Sequence, residues 1–548
     1  MKGGGKIAEG GGTCGNVMSP PPSALCPSPS SYLLSALFAA LIICTTLKLA
    51  VFSHVLSFGH PDVYKHEAGI VAGLIFTTLL YLSAWSVGRW AVLTVWLVQA
   101  LYLLANWSYV TYFGQYLWWR TVLGAGGEGA TAVLHGALPL RTEMLWILAD
   151  LPVLIWWRWS VRGAAMPRPG WWLGTCATGL LAGLFAWQCQ RASNALEWAY
   201  TEHDDRYTSA TVFQLEFGLL PVQIIDARRP GPTPEDFSYG PEQTLGAPGR
   251  AARSLLIIQV ESLDSGAIET AMPHLAARLP TALYAPRCLS WHGPGGSSDS
   301  DVAVLDGCEP LHYAVSVDVR GYGMPNSFIR RLRDAGWQAQ AVHGLWGSYF
   351  NFAQVLPAAG YEFLDLPALG LQQHDGEFGA RDHELVDALL PRIANLRPPF
   401  ALHVITMSSH APFKQYRTLR PVLPLAENER ENDYRNILRY VDDQLERLIT
   451  AFLARDPHGV VVLFGDHCAG LPTSPISRVD DDQREYVPLV ILGVEARREE
   501  RLVTFLDVGP TALSAVGWHG RYRTWGADLL HPAAPLPAVP RHGRTLPR

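Results

Sequence analysis

The chain has 548 residues, of which 17% are charged and 49% apolar, with a formal net charge of −6. Its charged fraction lies well below the roughly 25% of an average soluble chain, and an acidic balance excludes a protein built around the clustered basic face that nucleic acid requires. The length exceeds one ordinary domain; nearly all long apolar runs precede residue 190 and most Asp and Glu follow it, so two physically different halves are expected.

In chain order, residues 1–31 form a tail, and the apolar runs begin after it. A spanning helix takes about 20 mainly apolar residues. Five segments approach that length: Tyr32 to Phe52, Ala68 to Val87, Trp90 to Phe113, Met144 to Trp157 and Trp171 to Gln188, the fourth being short and carrying Asp150. They predict a five-helix membrane domain over residues 32–189. Lys2, Lys6, Arg89, Arg158, Arg162 and Arg168 all fall on one side of such a domain, which the positive-inside rule makes cytoplasmic. Everything after residue 190 is then extracytoplasmic. Residues 190–250 read as a linker ending in Pro/Gly-rich sequence, and 532–548 as a loose Pro/Arg-rich tail.

Over residues 251–531, short apolar runs alternate with longer amphipathic ones, the pattern of a mainly parallel sheet covered by helices. Ser254 to Val260, Gln338 to Val342, Ala401 to Thr406, Val460 to Phe464 and Leu489 to Leu492 read as strands; Pro325 to Ala335 and Tyr434 to Ala454 have helical spacing. Polar residues follow four of these strands: Glu261, His343, Met407-Ser408-Ser409-His410 and Gly465-Asp466-His467. Sites in open α/β sheets form at the carboxyl ends of strands. Glu261, Asp466 and His467 together offer two carboxylates and an imidazole, a donor set for a divalent cation of intermediate hardness. The loop Gly293-Pro294-Gly295-Gly296-Ser297-Ser298-Asp299-Ser300-Asp301 adds glycines that allow close backbone approach and serines that metal coordination turns into nucleophiles. Eight cysteines are too few for a disulfide scaffold. Cys288 and Cys308 bracket that loop, and an oxidising compartment would let them pair.

These motifs, with Asp507-Val508-Gly509-Pro510-Thr511 after them, resemble in order those of the lipoteichoic acid synthase and phosphoglycerol transferase group of the sulfatase (alkaline phosphatase) superfamily. The resemblance spans about residues 210–520, and the five-span anchor is similar too. It implies an alkaline-phosphatase-like α/β catalytic domain outside a bacterial plasma membrane. It makes Glu261, Ser297, Asp466 and His467 ligands of one metal ion, manganese first, with zinc or magnesium as alternatives. It makes Ser297 the nucleophile, and His343 and His410 substrate-binding residues. The implied reaction moves a phospholipid headgroup phosphoryl unit through a covalent serine to an extracytoplasmic glycan or polyol acceptor. The partners implied are an anionic phospholipid donor and that acceptor, in a membrane and without nucleic acid.

Two departures from the family pattern stand out. Tyr349-Phe350-Asn351-Phe352 replaces a Phe-Trp-Asn-Arg whose arginine grips glycerol phosphate, and Cys468 replaces the glycine after Gly-Asp-His. A second reading is a sulfatase or phosphohydrolase of the same fold; its Cys-x-Pro-x-Arg signature is approached only by Cys308-Glu309-Pro310-Leu311-His312, without the arginine. A third is a non-catalytic membrane protein whose outer domain only binds a ligand.

Overall fold

The computed structural model describes residues 29–56, 66–113, 142–160, 171–202, 221, 224–225, 231–291, 295–312, 314–374, 377, 379–471, 478–479, 484–531, 536–541 and 544–548. It divides into two compact units, one of Met1–Val51, Glu67–Val98 and Trp146–Leu180, the other of Phe52–His66, Gln99–Leu145 and Leu181–Arg548.

Helices form at all five apolar segments: α1 Pro29–Leu56, α2 His66–Val87, α3 Arg89–Phe113, α4 Leu151–Ser160 and α5 Trp171–Glu202. The expectation of five spans needs correction. Among the described residues only Ser35–Phe52 and Arg89–Trp107 are long and apolar enough to cross a membrane, and Leu74–Val87 is a shorter apolar stretch. The fourth segment breaks into a 3-10 turn, Thr142–Leu148, and the ten residues of α4. Ten residues rise about 15 Å, half a bilayer core. Asp150 sits at this break, and its burial has a specific cause. Lys48 Nζ reaches its two carboxylate oxygens at 2.8 and 3.0 Å, Thr45 Oγ1 donates at 2.7 Å and Trp96 Nε1 at 2.9 Å. Lys48 and Asp150 are both essentially inaccessible. Removing one partner from such a pair typically costs about 3–5 kcal/mol, because the other charge stays buried alone.

In the second unit the core is a ten-stranded sheet. Its main strands are β1 Leu255–Val260, β2 Ala282–Leu289, β3 Gln338–His343, β4 Glu362–Leu364, β5 Phe400–Ile405, β6 Val460–Gly465, β7 Glu485–Leu492 and β8 Arg497–Arg498. They lie in the order β8-β2-β7-β6-β1-β5-β3-β4. β6, β1, β5, β3 and β4 run parallel, whereas β7 is antiparallel to both β2 and β6, so the sheet is mixed. Strand β1 is buried along its whole length, which is why it reads as an apolar run broken only by Gln259. Leu255 and Ile257 face one core layer while Leu256, Ile258 and Val260 face the other, where they meet Tyr434, Ile437, Leu438 and Val441 of the long helix Glu429–Arg455. Parallel strands align their carboxyl ends, and that alignment brings Glu261, His343 and Asp466 to one edge of the sheet.

Two further expectations change. Cys288 and Cys308 are free and buried; the Cys308 thiol instead lies 3.7 Å from both Asp306 Oδ2 and Tyr322 Oη. The tail is anchored where it is described: Val539–Arg541 pairs with Arg544–Leu546, and Arg548 forms a fully buried ion pair with Asp507.

Candidate metal centre

Glu261 follows β1 directly, and Asp466 and His467 follow β6, its parallel neighbour. Gly465 permits the approach, since a Cβ there would stand 2.3 Å from the Leu263 carbonyl. One ligand atom from each of Glu261, Asp466 and His467 lies within 4.8 Å of the others. His467 Nε2 is 3.4 Å from Glu261 Oε1 and 3.6 Å from Asp466 Oδ2. Ser297 opens the short helix Ser297–Asp301, after Gly296 at φ 54°, ψ −134°, a region open essentially to glycine. Its Oγ lies 3.5 Å from Glu261 Oε2. The sheet and this loop therefore bring together the four residues expected as metal ligands. Gly293 and Pro294, also named in the sequence reading, fall outside the described residues.

The electrostatics agree with a cation site. Burial alone would raise Glu261, but His467 outweighs it and the carboxyl is held below its ordinary range. Burial, and next the Glu261 charge, push Asp466 up. Burial opposes charge on His467, yet Asp466 and Glu261 together raise it well above the ordinary imidazole value. Two adjacent buried carboxylates thus keep a proton on His467, and a divalent cation would replace that proton. Asp466 Oδ2, fully buried, makes no hydrogen bond among the described residues. The donor set fits a divalent ion of the Mn²⁺ or Zn²⁺ type.

Several residues hold the candidate ligands in place, of which Ser262 and Asp382 lie outside the motifs named in the sequence. Ser262 Oγ donates to Glu261 Oε1 at 2.7 Å, and Asp466 Oδ1 accepts from the Ser262 and His467 backbone amides, each at 2.8 Å. Ser409 Oγ donates to the Glu261 carbonyl at 2.6 Å and Ser300 Oγ to the Asp466 carbonyl at 2.7 Å. Asp382 Oδ1 accepts from the Met407 and Ser408 amides at 2.8 and 3.3 Å, fixing the turn before His410. These contacts run mostly through backbone groups, which a motif search does not register.

His410 is partly exposed, with Nδ1 2.8 Å from the Ala411 carbonyl. His343 is buried: Nε2 lies 2.8 Å from Met407 Sδ, and burial lowers its pKa to about 4, so it stays neutral. Its ring meets Phe352 edge-on at 5.6 Å, and Phe352 in turn lies 5.6 Å from Phe350. Phe350 holds a left-handed φ of 51°, costly for a bulky residue, and its ring would lie 3.8 Å from a Cβ at Gly296.

Comparison with known proteins agrees with this geometry. Residues 256–518 match the Sulfatase family model. The chain is 24% identical over 271 residues to the lipoteichoic acid synthase of Staphylococcus saprophyticus, covering 45% of this chain and 41% of that protein. It is 23% identical over 256 residues to lipoteichoic acid synthase 1 of Bacillus subtilis, covering 43% and 40%. It therefore matches about two fifths of the length of these relatives. Among solved structures, the integral membrane protein lipooligosaccharide phosphoethanolamine transferase A of Neisseria meningitidis shares the fold at a TM-score of 0.52 and 15% identity, over 88% of this chain and 95% of that one. A mixed α/β sheet, a cluster of candidate metal ligands and the family match lead to one assignment: residues 256–518 carry a Sulfatase-family domain, similar to that of the lipoteichoic acid synthases.

Proposed function

We propose that the protein is a multi-pass, membrane-anchored, metal-dependent phosphotransferase of a bacterial plasma membrane, with its catalytic domain outside the cytoplasm. It moves the phosphoryl-bearing headgroup of a phospholipid to an extracytoplasmic glycan or polyol. The observation that carries this reading is the Ser297 hydroxyl 3.5 Å from Glu261 in the cluster completed by Asp466 and His467.

Glu261, Asp466, His467 and Ser297 would hold the divalent cation, which when bound lowers the pKa of a coordinated hydroxyl and offsets phosphoryl charge. Ser297 Oγ loses its proton and forms a bond to phosphorus, while the bond to the diacylglycerol oxygen breaks and that oxygen takes up a proton. In the second half an acceptor hydroxyl loses its proton and bonds to phosphorus, and Ser297 regains a hydroxyl. His410, partly exposed beside the cluster, supplies a donor to the phosphoryl group. Phe352 takes the motif position at which the resembling family has its phosphate-gripping arginine, and neither it nor Phe350 offers a charge-assisted hydrogen bond, so we read the headgroup preference as altered from phosphoglycerol. Cys308 is a poor candidate for a sulfatase-type reactive residue, because His312 stands where its Cys-x-Pro-x-Arg signature needs arginine and the side chain is fully buried.

The test is to incubate full-length protein and Mn²⁺ with phosphatidylglycerol, phosphatidylethanolamine and a sulfate ester in parallel, following diacylglycerol and sulfate. Diacylglycerol release supports the reading. Sulfate release without diacylglycerol favours the sulfatase, and release from neither favours a non-catalytic protein.

A further inference from the structure

The turn after His410 ends in a short run whose exposure the catalytic reading leaves unexplained. Pro421, Val422, Leu423 and Pro424 are all exposed, Val422 by 49% and Leu423 by 37%. Among the described residues from 231 onward these two are the only exposed large apolar side chains. Ala411 and Pro412, adjoining His410, are exposed as well. Consecutive exposed apolar residues are unfavourable in water unless something covers them.

The run is also held rigidly. Asn436, buried on the helix Glu429–Arg455, accepts from the Leu423 amide at 2.9 Å and donates to its carbonyl at 2.8 Å. Asn432 accepts from the Leu425 and Ala426 amides at 2.6 and 3.0 Å. Two asparagines thus fix the backbone of a segment whose own side chains touch little. Prolines at both ends restrict it further. Lys414 is exposed with its ammonium 3.8 Å from the exposed Glu429, and Arg430, also exposed, has no ion pair among the described residues and lies over the Phe413 ring at 5.9 Å.

We infer that residues 421–424 are an interfacial anchor that seats the mouth of the site on the bilayer, with Val422 and Leu423 entering the headgroup and acyl boundary and Lys414 and Arg430 meeting anionic headgroups. The bilayer is the occupant that the rest of the chain favours. Helices Ser35–Phe52 and Arg89–Trp107 are long and apolar enough to keep the catalytic domain at a membrane. The run lies eleven residues beyond His410, so a lipid surface held there would present headgroups to the pocket. The consequence for turnover rests on the phosphotransferase reading; the contact with lipid does not.

The two are separated by one experiment on full-length protein in vesicles of phosphatidylglycerol and phosphatidylethanolamine doped with a photoactivatable lipid. After illumination, adducts are mapped by mass spectrometry, and the Val422→Ser/Leu423→Ser variant is treated in parallel. Adducts on residues 418–430, lost in the variant, are expected. The variant should also raise KM about tenfold for a vesicle-borne donor while leaving cleavage of a water-soluble headgroup ester unchanged. No adduct on 418–430 while α1 and α3 are labelled overturns the inference, as does equal labelling of the variant or protection of the segment by a second protein alone. If the wild type turns over neither substrate, the phosphotransferase reading fails and the adduct pattern still decides the anchor.

Discussion

Ser300 Oγ donates to the backbone carbonyl of Asp466 at 2.7 Å, with both residues fully buried. The bond joins the helix that begins with Ser297 to the turn carrying Asp466 and His467, so the proposed nucleophile and the proposed cation site are positioned by one contact. Ser300→Ala should leave metal content intact and lower kcat about tenfold, the equivalent of one hydrogen bond's worth of misplacement. Metal analysis beside steady-state kinetics checks the split; an unchanged kcat would detach Ser300 from catalysis.

Ser297→Ala should abolish transfer, whereas Ser297→Thr should keep part of it, since both native and threonine side chains supply a hydroxyl. Ser298→Ala should reduce turnover less. Ser298 Oγ donates to the Gly295 carbonyl at 2.7 Å and is buried, so its loss weakens the loop by about 1 kcal/mol without removing the reacting group. The reverse ranking moves the nucleophile to Ser298.

Asp466→Ala and His467→Ala should each lose the divalent cation, because Glu261 and the Ser297 hydroxyl with one remaining donor leave too small a ligand set. Since Asp466 and Glu261 raise the His467 pKa and a ligating imidazole must be neutral, binding should strengthen as pH rises. Below that raised pKa the change should be at least about tenfold per pH unit, one proton leaving His467 per ion and Asp466 adding to the slope where its raised carboxyl is protonated. Titration of Mn²⁺ affinity between pH 6 and 8 measures it, and a pH-independent affinity contradicts the site.

Burial raises Asp382 to about 6 from its ordinary 3.8, in spite of bonds from the Met407 and Ser408 amides. The folded protein therefore holds this proton more tightly than the unfolded chain. The stabilising effect is complete below about pH 4 and is lost as pH climbs to about 6, by up to about 3 kcal/mol. Asp382→Asn removes that dependence, so wild type should lose stability relative to the variant across this window in thermal melts. Parallel profiles would show that Asp382 does not titrate there.

Thiol counting on denatured, unreduced protein should find Cys288 and Cys308 both reactive, since neither is in a disulfide. A blocked pair would contradict the arrangement around Cys308 and Tyr322.

What was legible in the sequence follows from how each feature is encoded. A strand buried on both faces reads as a mainly apolar run, broken here only by Gln259 in β1 and His403 in β5, so β1, β5 and β6 and the polar residues after them were visible. The antiparallel direction of β7 was not, because period and composition carry no strand direction. Asp150 looked like a flaw in a span. Its partners Lys48, Thr45 and Trp96 lie 54 to 105 residues away, and no local pattern signals such a meeting. Asp382 lies outside every motif, and Ser300 and Ser409 were legible as motif residues but not as positioning partners, because all three bond backbone groups of distant segments. The apolar run 421–424 was readable as residues but not as surface, since exposure is decided by the fold.

The central claim is that Ser297 carries the transferred group. Full-length protein with Mn²⁺ should be exposed to phospholipid vesicles, quenched in acid, digested and searched by mass spectrometry for an adduct on the peptide containing Ser297. The account predicts a headgroup-phosphoryl adduct on Ser297 that appears with the donor and is absent from Ser297→Ala. Continued diacylglycerol release with no adduct on that peptide, or an adduct that persists in Ser297→Ala, would contradict it.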